Sequence, residues 1–329
     1  MKVVISDYEF PNLKPEEDAL KDVANLELVE GKCTNEEEII AACKDADGIL
    51  NQWNHITAKV IDSLEKCKVI STYGIGVDKI DVAEASKKGI YVCNSPEYNK
   101  FEVADHIVMM MLALSRQLVQ LNHLMHEGKY GWYYLDHELY RPGGQTVGFV
   151  GFGRIAKQVA AKIKAFDMKA VCYDPFLTAE QCEAAGATKL ETLDEVMKCA
   201  DFVSINTSLM ESTYHMVNAH HLSLMKPTAY FINCSRGAVV DENALVEVLQ
   251  QKKIAGAALD AFEVEPITPD HPLMKLDNVI MTPHSAWHTK ESMWEMQWVA
   301  ARQVALVLNG QKPEHCVNYD DVQKVLNAR

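Results

Sequence analysis

The chain has 329 residues, 48% of them hydrophobic, enough for two separate cores, and shows no internal repeat or low-complexity stretch. Its 46 acidic residues outweigh 32 Lys and Arg, and the resulting formal charge of −14 argues against a nucleic-acid or anionic-membrane partner. Nine cysteines without a C-x-x-C pair, a start unlike a signal peptide and no strong apolar run longer than Ile107 to Leu114 point to a reduced, cytoplasmic protein with neither metal centre nor membrane span.

Lys2 to Ser6 reads as a buried strand, and further short apolar runs occupy Gly48 to Leu50 and Val69 to Ser71. Helix-forming stretches such as Pro15 to Ala24 and Asn35 to Cys43 separate them, with acidic residues near their starts where the helix dipole favours them. Tyr73-Gly-Ile-Gly-Val-Asp-Lys-Ile-Asp81 follows the third run. Its two glycines either turn a strand into a helix or present backbone amides to a carboxylate. Gly89 to Pro96 is another strand, and Asn99 to His126 is predicted as one long helix crossing between domains, with Met109-Met-Met111 in a core or subunit contact. From Gly128 to Gly144 the periodicity gives way to a loop rich in Tyr and Trp, expected to pack on a neighbouring surface such as a second subunit.

Val147-Gly-Phe-Val-Gly-Phe-Gly-Arg-Ile-Ala156 has the pattern of a strand, a tight turn and a helix. Gly151 permits the turn, Gly153 permits close approach of a pyrophosphate, and the helix start offers its N–H groups to the anion. Asp174 ends the next predicted strand, 23 positions after Gly151, where a carboxylate accepts hydrogen bonds from an adenine ribose and repels a 2′-phosphate. NAD is therefore expected rather than NADP. Strands are predicted near Phe202 to Asn206, Tyr230 to Cys234, Gly256 to Leu259 and Val279 to Met281, completing a doubly wound parallel sheet. A proline-marked loop over Pro266, Pro269 and Pro272 follows Asp260, and a final helix, Thr289 to Asn309, leads back to the first domain. The expected division is residues 1–98 with 290–329 as a smaller flavodoxin-like α/β substrate domain, and 99–289 as a Rossmann coenzyme domain.

Three polar clusters fall at carboxyl ends of strands in the second domain: Asn233-Cys-Ser-Arg-Gly237, Asp260-Ala-Phe-Glu-Val-Glu-Pro266 and Thr282-Pro-His284. With Gly74-Ile-Gly-Val-Asp78, Asn94-Ser-Pro96, Val103-Ala-Asp-His106 and the Gly151 turn, they make the chain resemble the D-isomer-specific 2-hydroxyacid dehydrogenases over nearly its whole length. The resemblance implies Arg236, Glu265 and His284 as the catalytic triad. It places Gly151, Gly153, Arg154, Ile155, Asp174, Thr207, Cys234, Ser235, Arg236, Asp260 and His284 around NAD(H). The substrate would meet Trp53, Tyr73, Gly74, Ile75, Gly76 and Arg236.

The chemistry agrees with those roles. Reducing a 2-keto acid puts a hydride on the carbonyl carbon and a proton on its oxygen, which His284 would donate while Glu265 stabilises the imidazolium and raises its pKa. Arg236 would pair with the substrate carboxylate, helped by the amides of Ile75 and Gly76, in an interdomain cleft whose closure excludes water. The nicotinamide does the redox work, so no metal is expected. Ala156, Asp105 and Ser208 depart from the family's usual Gly, Glu and Pro without removing a catalytic group. Asn51-Gln52-Trp53 stands where phosphoglycerate-using relatives tend to place an arginine, which argues against a phosphorylated substrate. The expected protein is a homodimer formed through the coenzyme domain and acting on a small 2-keto or 2-hydroxy acid. The rival reading is an NAD(H)-sensing scaffold like the C-terminal-binding proteins; formate dehydrogenase chemistry is disfavoured by Glu265. The short segment after the last helix leads us to expect no regulatory extension.

Overall fold

The computed structural model describes residues 1–135 and 138–328; Asp136 and His137, in the loop expected between Gly128 and Gly144, lie outside them. The chain forms two compact units, Met1–Asn99 with His288–Arg329, and Lys100–Trp287.

The first unit alternates β1 (Lys2–Ile5), α1 (Lys14–Leu20), β2 (Glu27–Glu30), α2 (Glu36–Cys43), β3 (Gly48–Asn51), α3 (Ala58–Ser63), β4 (Val69–Thr72), α4 (Val82–Lys88) and β5 (Tyr91–Cys93). All five strands are parallel, in the order β2-β1-β3-β4-β5. The central strands β3 and β4 are buried at every residue, as expected of a parallel sheet covered on both faces. The edge strand β2 escaped the sequence reading because only Leu28 and Val29 separate its glutamates. Helix α12 (Lys290–Leu308) returns to this unit and packs on α1, β3 and β4. A further helix, α13 (Tyr319–Asn327), which was not anticipated, packs on α4 and β5. Buried Asn318 anchors it: its side chain accepts from Val92 N at 2.8 Å and donates to Ile90 O at 3.0 Å.

The second unit begins with α5 (Lys100–Ser115) and α6 (Leu118–His126). The sequence reading made these one helix crossing between domains; instead both lie in this unit, separated at Gln117, whose backbone turns left-handed at φ 46°. There follow β6 (Thr146–Val150), α7 (Arg154–Ile163), β7 (Lys169–Tyr173), α8 (Ala179–Ala184), β8 (Thr188–Lys189), α9 (Leu193–Cys199) and β9 (Phe202–Ile205). Then come α10 (Ala219–Ser223), β10 (Tyr230–Asn233), α11 (Glu242–Gln250), β11 (Gly256–Leu259) and β12 (Val279–Met281). The parallel sheet runs β12-β11-β10-β9-β6-β7-β8, so its order reverses between β6 and β9, the place where such sheets bind ligands. Alternate residues face opposite layers: Phe149, Phe202, Ile232 and Ala258 join the core beneath α5 and α7, while Val150, Val203, Phe231 and Leu259 join the core beneath α9 to α11. Among the described residues, no helix is long and apolar enough to cross a membrane.

Candidate active site

At the sheet's reversal point, Gly151 closes β6 at φ 82°. A Cβ there would stand 3.0 Å from the Asn206 carbonyl and the Thr207 nitrogen, so the glycine is required both by its dihedral and by the neighbouring strand end. Gly153 precedes α7, brings no capping side chain, and has open space where a Cβ would project. The helix N-terminus beyond it, at exposed Arg154 and half-buried Ile155, has the form that receives a pyrophosphate. Asp174 stands just past β7, its Oδ2 accepting from Phe152 N and Oδ1 from Phe176 N, each at 2.9 Å. The carboxylate proposed for the ribose thereby also fixes the glycine turn.

Arg236, Glu265 and His284 follow β10, β11 and β12, three adjacent strands. Glu265 Oε2 lies 2.8 Å from His284 Nδ1, and its Oε1 accepts from Phe262 N at 3.0 Å. Burial pushes the Glu265 carboxyl upward, but the hydrogen bond from His284, that ring's charge, the Phe262 amide and the charge of Arg236 together hold it below the usual carboxylate range. His284 sits at φ 50°, a left-handed conformation unusual for a residue with a Cβ. Such an outlier persists only where its surroundings over-determine it.

Those surroundings are Asp260 and Thr282. Asp260, 2% exposed at the end of β11, accepts from the amides of Ser285 and Ala286, both at 2.9 Å, and from the Thr282 hydroxyl. Thr282 Oγ1 in turn lies 3.0 Å from His106 Nε2 on α5. Because the hydroxyl's single proton goes to Asp260, Nε2 is assigned as the protonated nitrogen of His106. Burial lowers the pKa of His106, against the opposing pull of Asp260. The chain on both sides of His284 is thus tied to one carboxylate. Cys234 and Ser235 lie half-buried beside Arg236; burial, then Asp260, pushes the Cys234 thiol well up, and Ser235 is held by Asn233 Oδ1. Thr207, also half-buried, follows β9.

Gly237 explains how two of these loops come together. A Cβ at Gly237 would fall 1.9 Å from the Phe262 carbonyl carbon, so the backbone carrying Phe262 rests directly on the turn carrying Arg236. Gly237 and Thr282 were visible within motifs but had no role assigned, because nothing in the sequence says which loops touch.

In the first unit, the Tyr73 side chain is 5% exposed and packs edge-on to Phe10 at 4.9 Å, so only its backbone is available to a ligand. Gly74, Ile75 and Gly76 form a partly exposed loop held by Asn94 Nδ2 donating to Ile75 O at 2.7 Å and Ser95 N to Gly74 O at 2.8 Å. The backbone of Trp53 donates to Asp7 Oδ2 at 2.6 Å and its ring lies beneath Lys79 Nζ at 4.9 Å. Asp7 also accepts from Gln52 N and Asn54 N, an arrangement the sequence reading missed although an acid directly after a strand was its signal.

Residues 108–286 match the model of the D-isomer specific 2-hydroxyacid dehydrogenase, NAD binding domain. The chain is 38% identical to a D-3-phosphoglycerate dehydrogenase of Methanocaldococcus jannaschii over 93% of its own length, but spans only 58% of that relative. It is 39% identical to a glyoxylate reductase of Thermofilum pendens, covering 89% of this chain and 86% of the relative. Among solved structures, a glyoxylate reductase from Paecilomyes thermophila superposes with a TM-score of 0.87 at 25% identity, over 97% of this chain and 99% of that one. On these matches the chain belongs to the D-isomer specific 2-hydroxyacid dehydrogenases, a family of NAD-dependent oxidoreductases.

Proposed function

We propose that this protein reduces a small, unphosphorylated 2-keto acid to its D-2-hydroxy acid with NADH. The observation that carries the proposal is the 2.8 Å contact between Glu265 and His284, which follow β11 and β12, the two strands next in order to the β10 that precedes Arg236. A carboxylate-supported imidazole is the apparatus for giving a proton to a carbonyl oxygen as hydride reaches its carbon. NADH, when bound, would supply the hydride. Arg236 pairs with the substrate carboxylate and polarises the carbonyl, His284 donates the proton, and Glu265 stabilises the resulting charge. We assign the amides of Ile75 and Gly76 to the substrate carboxylate. Arg154, Ile155, Asp174, Thr207, Cys234, Ser235 and Asp260 are assigned to the cofactor. Relatives named glyoxylate reductase, matched over most of their length, favour turnover over a purely NAD(H)-sensing scaffold, which would carry the same triad.

The loop after β3 supports an unphosphorylated substrate. Asn51 is fully buried, donating to Asn54 O at 3.0 Å, and the adjoining amides of Gln52, Trp53 and Asn54 are already taken by the Asp7 carboxylate. Those amides are therefore already engaged and offer no anion site. The relatives named glyoxylate reductase, matched over most of their length, are in keeping with this choice. A cytoplasmic homodimer completes the proposal. Nine free cysteines suit a reducing compartment, and exposed Phe101, Met109, Leu118, Val119 and Trp132 give the coenzyme unit an apolar surface for a second copy.

The test is NADH oxidation with glyoxylate, hydroxypyruvate, pyruvate, branched 2-keto acids and 3-phosphohydroxypyruvate. Saturable turnover of one of the small acids, with a D-configured product wherever the product is chiral, is expected. Tight NADH binding without selective turnover of any of them would overturn the reading.

A further inference from the structure

We propose that Cys93 and Cys316 are a closable dithiol, which a hydroperoxide converts to a disulfide fastening the carboxyl-terminal segment to β5. The inference stands on the first unit alone and is independent of the catalytic reading above.

Cys93 is the last residue of β5, and Cys316, between α12 and α13, pairs with it as an isolated antiparallel bridge. Val317 N donates to Val92 O at 2.9 Å and Asn94 N to His315 O at 3.4 Å. In each bond the residue after one cysteine donates to the residue before the other. The cysteines therefore form the non-hydrogen-bonded pair, whose Cα atoms lie about 4.5 Å apart with side chains close together. That separation falls inside the range of about 4.4–6.8 Å that a disulfide spans.

The two thiols have unequal surroundings. Cys93 is fully buried, whereas Cys316 is partly exposed and donates to Asn318 Oδ1 at 3.3 Å. A hydrogen bond from Cys93 draws the Cys316 thiol below its usual range, so of the pair Cys316 is the more readily ionised and the one an oxidant meets. That thiolate attacks one peroxide oxygen; the O–O bond breaks and the departing oxygen takes a proton, leaving Cys316 as a sulfenic acid. The sulfur of Cys93 then displaces the sulfenic oxygen, which leaves as water with the Cys93 proton. Two thiols lose two electrons, and the hydroperoxide is reduced to water and an alcohol, or to two waters. Cys172 and Cys182 are the useful contrast: both are fully buried, so neither thiol is presented to an oxidant.

The position gives the bond a consequence. Asn94 and Ser95, directly after Cys93, hold the Gly74–Ile75 carbonyls, and the segment after Cys316 leads through Asn318 into α13. Closure would tie the end of β5, and the loop resting on it, covalently to the segment leading into α13, which is otherwise held by packing on α4 and β5 and by hydrogen bonds.

The full chain is treated with hydrogen peroxide or tert-butyl hydroperoxide, its remaining thiols are alkylated after unfolding, and unreduced peptides are mapped by mass spectrometry. A single linked peptide joining Cys93 to Cys316, reversed by dithiothreitol and lost in Cys316→Ser, is expected; serine keeps the hydrogen bond to Asn318. Amide exchange across residues 311–328 should slow in the oxidised protein and return on reduction, with no response to peroxide in Cys316→Ser. Conversion of Cys316 to sulfinic acid while Cys93 remains alkylatable, a different set of linked cysteines, or exchange unaltered by the link would each overturn the proposal.

Discussion

His284 Nδ1 and Glu265 Oε2 stand 2.8 Å apart, although 19 residues separate them in the chain, and the contact orients the imidazole with Nε2 on the side away from the carboxylate. Replacing His284 by Ala or Asn should lower kcat by about 10²–10⁴-fold, the contribution of a positioned general acid, while NADH affinity changes little. Arg236→Ala should likewise remove most turnover, raising KM as well. Stopped-flow reduction and NADH fluorescence titration separate the two readouts.

Glu265→Gln keeps a hydrogen-bonding oxygen and removes the charge. Its kcat should fall on the order of tenfold to a hundredfold, a part of the general-acid contribution. The same variant tests the carboxyl's pKa through stability. A carboxyl held below its ordinary 4.5 in the folded protein stabilises above that pH, and the stabilisation is lost as pH falls toward the folded value. Urea midpoints measured downward from pH 5 should therefore decline less steeply in Glu265→Gln than in the parent. The difference should be small, since the side chain is 33% exposed.

Thr282→Val removes the hydroxyl joining Asp260 to His106. Leaving a buried carboxylate short of a donor costs about 1–3 kcal/mol, and loosening the amides of Ser285 and Ala286 beside His284 should lower kcat. Thr282→Ser should restore both. Paired measurements of unfolding midpoint and kcat on the two variants check this.

Gly237→Ala places a methyl group against the Phe262 carbonyl. Backbone must move to receive it, so a loss of at least about 2 kcal/mol is expected. Activity should fall further than stability because the moved segment leads to Glu265. A folded variant retaining full turnover would show that the two loops need not touch.

Asp174→Asn removes the charge that disfavours a 2′-phosphate but keeps an acceptor for one of the two amides. The preference for NADH over NADPH should fall by about tenfold, the worth of one charge-assisted hydrogen bond. Cofactor titrations of parent and variant give that ratio directly.

The sheet strands were legible where burial on both faces wrote them as short, mostly apolar runs, as at Val69–Thr72 or Phe202–Ile205. Edge strand β2, with its two glutamates, was not, nor was the break at Gln117, where apolar residues continue on both sides and no Gly or Pro marks the left-handed turn. Arg236, Glu265 and His284 stood out because each belongs to a polar cluster that begins at or just after the end of a predicted strand. What ties them together was hidden: Gly237 resembles any turn glycine, and the Asp260 carboxylate, assigned to the cofactor, is taken up by Thr282 and the two amides beyond His284.

Strand β12 is only three residues long and borders its sheet, bonded to β11 on one side. His284, the proposed proton donor, follows this outermost strand, while the proposed nucleotide-binding turn issues from β6, well inside the ladder. Fraying at the margin would disarm the protein without unfolding it. Under mild denaturant, inactivation should therefore run ahead of the loss of helical signal and of bound NADH, so that catalysis fails first where the architecture is thinnest.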